Sequence, residues 1–362
     1  MKPTEFVKVN GSFWGEHLKG VSGHLPVSHR TELPGPMVFP RLMVLTETPD
    51  WNILELVGLS REYRTLEVRR EKVRTVEEYF GVGTEAPAVM TLPGESLFKD
   101  ATVATQAGRR ALVERLPSAL GMLGQEYVAA GEELLKFAPG NYATFDRTLL
   151  VHTTDDSIRV HWTFFAVAIH RSEPADKYLE YLQNYSNARP HLDPIGTISL
   201  PIDPAELKPD AFASTYLAHG LQDVTVDEFL DGHEEILLPA FGGSRLVRRP
   251  SLGDDLQPDF ILEREDGSHV IGALQLPVVD TAGGKKRRRS LRTNESVQNL
   301  TRYADYFTSQ ENRAEVKSKY DVDVTDPRKL LIVPSHELVA KGQPGVEIVD
   351  YDTILRLHLA AK

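Results

Sequence analysis

Apolar and charged positions alternate in short runs over the first part of the chain. "RLMVLTET" (41–48), "WNILELVGL" (51–59) and "YRTLEVRREKVRTVEEYF" (63–80) mix β-branched, aromatic and charged residues with partial period two. That pattern predicts three strands, with Leu66, Val68 and Arg70 sharing one face of the third. Helix formers at near-helical spacing predict a helical stretch over about 105–136, interrupted by Pro117 and several glycines. "TLLVHTTDDSIRVHWTFFAVAI" (148–169) reads as a hairpin turning at Asp155-Asp156. "SEPADKYLEYLQNYSNA" (172–188) reads as a helix whose Glu173 and Asp176 complement the positive end of its dipole.

Prolines 190, 194, 201, 204 and 209 then crowd "RPHLDPIGTISLPIDPAELKPDAFA". Proline lacks a backbone N–H and breaks both helices and central strands. The expected organisation is therefore a strand-rich α+β region over 1–190, a proline-rich linker over 191–222, and a second unit over 223–362. The second unit opens on a helix over 225–241, where Thr225 and Glu228 have capping-box spacing. A hairpin follows at 259–277, then two helices over 294–320, an apolar strand at 328–335 and a final helix. That order describes an α/β fold, a central sheet flanked by helices.

The hairpin "DFILEREDGSHVIGALQLP" is decided by its turn. A two-residue Asp266-Gly267 turn sets Asp259 opposite Leu274. A three-residue Glu265-Asp266-Gly267 loop, closed by a left-handed glycine, sets Asp259 opposite Ala273 with Gln275 on the same face. The second register is expected, because Leu262 and Leu274 then share the apolar face with Phe260; a one-residue slip would exchange the faces.

Composition narrows the function classes. Without cysteine, disulfides, thiolate metal sites and cysteine nucleophiles are excluded. The longest apolar run, "WTFFAVAI", is too short to span a bilayer, and the N-terminus lacks a secretory pattern, so a cytoplasmic protein without a membrane partner is expected. A net charge of -11 argues against a nucleic-acid partner, but one stretch reverses the local sign. Between Lys285 and Arg302 stand seven basic residues and one acid, Glu295. Lys285, Lys286, Arg287, Arg288, Arg289 and Arg292 are the candidate phosphate contacts; the alternative is a solvated loop held open by like-charge repulsion. "GGSRLVRR" (242–249) carries three arginines that suit phosphate but lacks P-loop spacing. His152 and His161 fall on neighbouring predicted strands, with His170 after them, and read as structural or surface histidines.

The segment from about 225 to 336 resembles the C-terminal domain of Shedu-type antiphage defence proteins, which have a PD-(D/E)xK nuclease-like fold. "EFLDGHEEILL", "PDFILEREDGSHVI", the "LP" after the second strand, "VQNLTRYADYF" and "ENRAEVKSKYDVDVTDPRKLLIV" carry the resemblance, over about a third of the chain. It implies a restriction-endonuclease-like mixed sheet flanked by helices, a DNA partner, Mg²⁺ if active, assembly into oligomers and a sensing or regulatory N-terminal region. The implied site places its strand aspartate on Asp259, its glutamate on Ala273, its lysine on Gln275 and its helix glutamine on Asn299, four residues before Tyr303. Metal binding would then fall to Asp259, with the Leu274 carbonyl beside it.

The departures weaken the implied chemistry. Mg²⁺ prefers hard oxygen ligands, and an amide supplies neither the cation nor a useful base. Losing a metal carboxylate and a cation predicts a rate deficit on the order of 10³-fold or more. Glu263 shares the Asp259 face at about 13 Å, too far to share an ion. Asp254, Asp255, Glu234, Glu235 and Glu295 are the acids left to substitute. Three readings follow: a nuclease fold that binds nucleic acid and cuts weakly or not at all, an active metal-dependent endonuclease with a migrated carboxylate, and a non-catalytic assembly module.

Overall fold

The computed structural model describes residues 1–24, 37–60, 63–76, 79, 95–99, 101–104, 106–119, 125–128, 137, 139–140, 142–153, 157–190, 193–199, 234, 236–253, 255–275, 285–334 and 345–360. Among the described residues the architecture is α/β, built on a large mixed sheet of 14 strands flanked by helices. Before the proline-rich stretch come β1 (Met37–Glu47), β2 (Trp51–Ser60), β3 (Glu67–Lys72), β4 (Glu95–Lys99), β5 (Ala101–Ala104), β6 (Gln125–Val128), β7 (Tyr142–Thr153) and β8 (Ile158–His170). β9 (Ile198–Ser199) lies within that stretch. β10 (Gly243–Arg248), β11 (Phe260–Arg264), β12 (His269–Leu274), β13 (Arg328–Val333) and β14 (Val346–Asp350) follow it. The helices are α1 (Pro3–His24), α2 (Gln106–Arg115), α3 (Ala175–Asn187), α4 (Lys285–Tyr306), α5 (Gln310–Tyr320) and α6 (Tyr351–Ala360).

The main path through the sheet runs β10-β11-β12-β13-β14-β8-β2-β1-β3. β10, β11 and β12 are antiparallel; β12, β13, β14 and β8 are parallel. The sheet therefore passes from the segment after the expected linker directly into the segment before it, through the β14–β8 pairing. One apolar cluster does the same: Phe6, Trp14, Leu54 and Trp162 belong to the same buried group as Phe260, Leu262, Val270 and Leu274. The expected boundary between 1–190 and 223–362 is thus not a boundary of the sheet or of this core. Of the linker, residues 193–199 are described; there Ile195 is buried, and β9 pairs with β1.

The opposite face of the C-terminal sheet carries a second core. Ile261, Ile271, Leu331, Val333 and Ile348 pack under Leu300 and Phe307 of the α4 segment and Val316 of α5. α5 is capped locally: the Ser309 side chain accepts from the Asn312 N–H, and Asp321 ends the helix in the left-handed region.

Several expected elements differ in extent. Of the helical stretch expected over 105–136, the described residues form the helix α2, a 3₁₀ turn at Pro117–Ala119 and strand β6; residues 120–124 and 129–136 lie outside the described residues. Pro117 removes the N–H that would continue α2, and Tyr127 and Val128 are strand formers that pair with β5. The third strand is limited to Glu67–Lys72. α1 was not anticipated; Gly11, Gly15, Gly20 and Gly23 lower its intrinsic propensity, and burial of Phe6, Trp14 and Leu18 supplies the stability instead. The hairpin at 148–169 is β7 and β8, and the helix at 172–188 is α3. Residues 225–233 lie outside the described residues; 236–241 are helical.

Gly272 sits directly opposite Phe260, and a Cβ there would fall inside the Phe260 ring. Gly272→Ala is expected to destabilise the fold by about 1–3 kcal/mol through overpacking. Adding Phe260→Leu should recover part of that loss in a denaturant-unfolding cycle.

Candidate nucleic-acid interface

The β11–β12 hairpin adopts the three-residue loop. Phe260 pairs with Gly272, Leu262 with Val270 and Glu263 with His269, so Arg264 meets Ser268. The Arg264 N–H donates to the Ser268 carbonyl at 2.8 Å, and Gly267 takes the left-handed conformation at φ 80°. Asp266 stabilises the turn by accepting the Ser268 N–H at 2.8 Å. Asp259 therefore stands opposite Ala273. The Phe260, Leu262 and Leu274 side chains enter one core, while Ile261, Ile271 and Ala273 face the other.

Asp259 is half-buried, and its Oδ2 accepts the Leu274 N–H at 2.7 Å. That bond fixes the carboxylate across the end of the hairpin. Gln275 is buried on the same face, its N–H donating to the Ile332 carbonyl at 2.8 Å. α4 covers this face: Val297, Leu300 and Tyr303 pack into the core that includes Ala273. Asn299 and Tyr303 are four residues apart and share a side of the helix. Burial, followed by the negative charge of Asp259, raises the Tyr303 pKa, while the Arg302 charge opposes the rise. Tyr303, Arg302 and Asp259 thus share one electrostatic environment. The Asn299–Tyr303 spacing was visible in the sequence; the participation of Arg302 was not.

The basic run is helical. Lys285, Lys286, Arg287, Arg288, Arg289 and Arg292 lie in the N-terminal turns of α4, and their side chains are outside the described residues. The helix that covers Asp259 is therefore continuous with the most basic stretch of the chain. The arginines of "GGSRLVRR" lie on the edge strand β10 and just beyond it. Arg245 donates to the carbonyls of Tyr320 and Asp321 at the end of α5, and Arg248 pairs with Glu234 at 2.6 Å.

The donors that the described residues bring to the Asp259 face do not make a Mg²⁺ site. Among the described residues, no group of three His, Cys, Asp or Glu side chains is placed to hold a metal ion. Glu234 is committed to Arg248, which pairs with Phe260 and so stands on the opposite face. Asp255 and Glu295 are exposed; Asp254 and Glu235 lie outside the described residues. One carboxylate, a methyl group and an amide do not supply the charge and hard oxygen ligands that Mg²⁺ prefers.

The histidine pair belongs to a buried polar network away from the hairpin. His161 Nε2 lies 2.8 Å from Glu55 Oε1, Tyr79 donates to the other Glu55 oxygen, and Arg159 donates to the His152 ring at 2.8 Å. Burial, then the charges of Arg159 and His161, hold the His152 pKa well below its ordinary value. Burial pushes Glu55 upward, but His161, Tyr79 and Arg159 outweigh it and leave the carboxyl below its usual range. His170 bonds Ser172 outside this network.

No family model, curated protein or solved structure matches the chain.

Two measurements check these electrostatics. Asp259→Asn removes the charge that disfavours the phenolate, so the Tyr303 ionisation should move to lower pH in a tyrosine titration by NMR. Both His152 and Glu55 have folded pKa values below their unfolded ones. Their contribution is present above the unfolded values, near 6.5 and 4.5, and is lost as pH falls through the folded values. Unfolding free energy should therefore decline below pH 6.5, by up to about 1.4 kcal/mol per pH unit for each proton. His152→Gln should flatten the first part of that decline.

Proposed function

We propose that this chain is a Shedu-like antiphage defence protein whose C-terminal unit binds DNA through a nuclease-like face with a degenerate catalytic motif. The single observation that carries the reading is the register of the β11–β12 hairpin. It puts Asp259, Ala273 and Gln275 on one face beneath α4, the helix that begins with the basic run. The face has the layout of a strand aspartate followed by two positions on the next strand. Those positions carry a methyl group and an amide where a carboxylate and a lysine would be needed for cleavage.

On this reading the work of the face is binding. Lys285 to Arg292 neutralise backbone phosphates and release counterions, which makes affinity depend on salt and little on sequence. Asp259 keeps the position of a metal carboxylate, while Ala273 and Gln275 supply neither a second carboxylate to hold the ion firmly nor a cation to stabilise a developing phosphorane. The β14–β8 pairing gives the N-terminal strands a rigid route to this unit, consistent with a sensing or regulatory role for them.

Binding of labelled duplex DNA should fall steeply between about 50 and 200 mM salt, and replacing Lys285–Arg289 by glutamine should flatten that dependence. Salt-independent binding would remove the electrostatic basis of the reading. In parallel, the wild-type protein is expected to cut DNA with Mg²⁺ or Mn²⁺ at least about 10³-fold more slowly than Ala273→Glu/Gln275→Lys. Wild-type cleavage that matches the double variant and disappears in Asp259→Ala would instead identify an active nuclease.

A further inference from the structure

The acids and bases of α1 are antisymmetric about Ser12. Lys8 stands four residues before it and Glu16 four after; Glu5 stands seven before and Lys19 seven after. Steps of three and four residues keep Glu5, Lys8, Ser12, Glu16 and Lys19 on one side of the helix, and all five are exposed. Among the described residues, none of these four charges has an ion-pair partner, within α1 or outside it. Reversing the helix direction therefore exchanges each acid for a base at the same distance from Ser12.

A groove of about 1410 Å³ runs beside this ridge, between α1 and α3. Val9 and Phe13 of α1 and Ala175 and Leu179 of α3 line it, each half-buried, so apolar surface remains in contact with water. Gly11 and Gly15 lie close to Ser12, and a Cβ at either would meet nothing within 4 Å, so a second backbone can approach there. The opposite side of α1, with Phe6, Trp14 and Leu18, is already committed to the core.

The occupant that fits is a helix whose charges run in the reverse order, and a second copy of this chain supplies one. In a two-fold dimer the same patch meets itself, so that position i faces j and j faces i. Antiparallel α1 helices crossing at Ser12 set Lys8 against Glu16 and Glu5 against Lys19, each pair twice. Parallel helices would set like charges together. We propose that α1 and its neighbouring groove form a homodimer interface, with the α1 helices antiparallel and the two-fold axis at Ser12. Burial of Val9, Phe13 and Leu179 from both copies supplies the attraction, while the charge pairs select the partner, its direction and its register. The interface does not depend on the nucleic-acid reading.

The chain has no cysteine, so one introduced thiol reports the crossing point without background. Full-length Ser12→Cys should form a covalent dimer on mild oxidation, since a disulfide needs Cα atoms within about 7 Å. Lys72→Cys, exposed on β3, is the control and should cross-link far less. Sedimentation equilibrium of the wild type should show a dimer. Lys8→Glu and Glu16→Lys should each weaken it about tenfold, by making two attractive pairs repulsive, with unchanged far-UV circular dichroism. Mixing the two single variants should restore the dimer, because the acids of one then meet the bases of the other; no effect within one chain would do so. A wild type that stays monomeric throughout the concentration series overturns the proposal. So does a dimer that ignores both charge variants, or one that cross-links no better at Ser12→Cys than at Lys72→Cys.

Discussion

Strand β8 carries two strands end to end on one of its edges, and the layout of the sheet follows from how that edge is shared. β7 pairs along the opposite edge, from Thr153↔Ile158 to Ala143↔Ala168. On the shared edge, β14 takes residues 158–160 and β2 takes residues 165–170. β2 must leave β8 before β14 begins, and it turns away at Gly58, where φ is 83°. The departure would leave two amides without strand partners inside the protein. Asp352, in the first turn of α6, accepts both: Gly58 N–H at 2.8 Å and Leu59 N–H at 3.3 Å. A buried amide left unpaired costs about 1–3 kcal/mol, so this carboxylate ties the C-terminal helix to the place where the first set of strands gives way to the second.

The same junction carries buried charge. Arg159 on β8 sits at the β14 pairing, and it feels the Glu55 and Asp350 charges while touching His152. Such a network adds little net stability compared with a well-packed apolar one, but it penalises any arrangement that leaves one member unpaired. Its contribution here is a fixed register between β2, β7, β8 and β14. That register fixes the β14 end of the parallel run leading through β13 to the hairpin that bears Asp259.

The hairpin was legible in the sequence because its determinants are local. Gly267 provides the left-handed turn residue, Asp266 caps the turn, and the alternation of Phe260, Leu262 and Leu274 selects the face. The shared face of Asp259, Ala273 and Gln275 follows from these alone. The sheet around it was less legible. The segment that forms β10 reads only as a glycine pair with three arginines that suit phosphate, and it becomes a strand by pairing with β11. Its arginines read as interchangeable phosphate contacts, yet Arg245 closes the end of α5, Arg248 meets Glu234, and Arg249 is held by Gln257. The helical reading of 105–136 holds at α2 and fails at 125–128 for a related reason: those residues have a partner strand in β5, and pairing outweighs local spacing.

The sequence by itself determined the elements whose stability is encoded within a few residues: the two hairpins, the helices α3 and α5, the apolar strand β13, and the methyl group and amide at positions 273 and 275. Tertiary structure decided what depends on partners far along the chain. It joined the two expected units through β14 and β8, formed α1 from a glycine-bearing segment by burying Phe6, Trp14 and Leu18, and set Arg249 across from Asp259. The physical reason is the range of the interactions. Turn conformation and side-chain alternation are set by neighbours in sequence, whereas strand edges, buried charges and shared cores gain their free energy when distant segments meet.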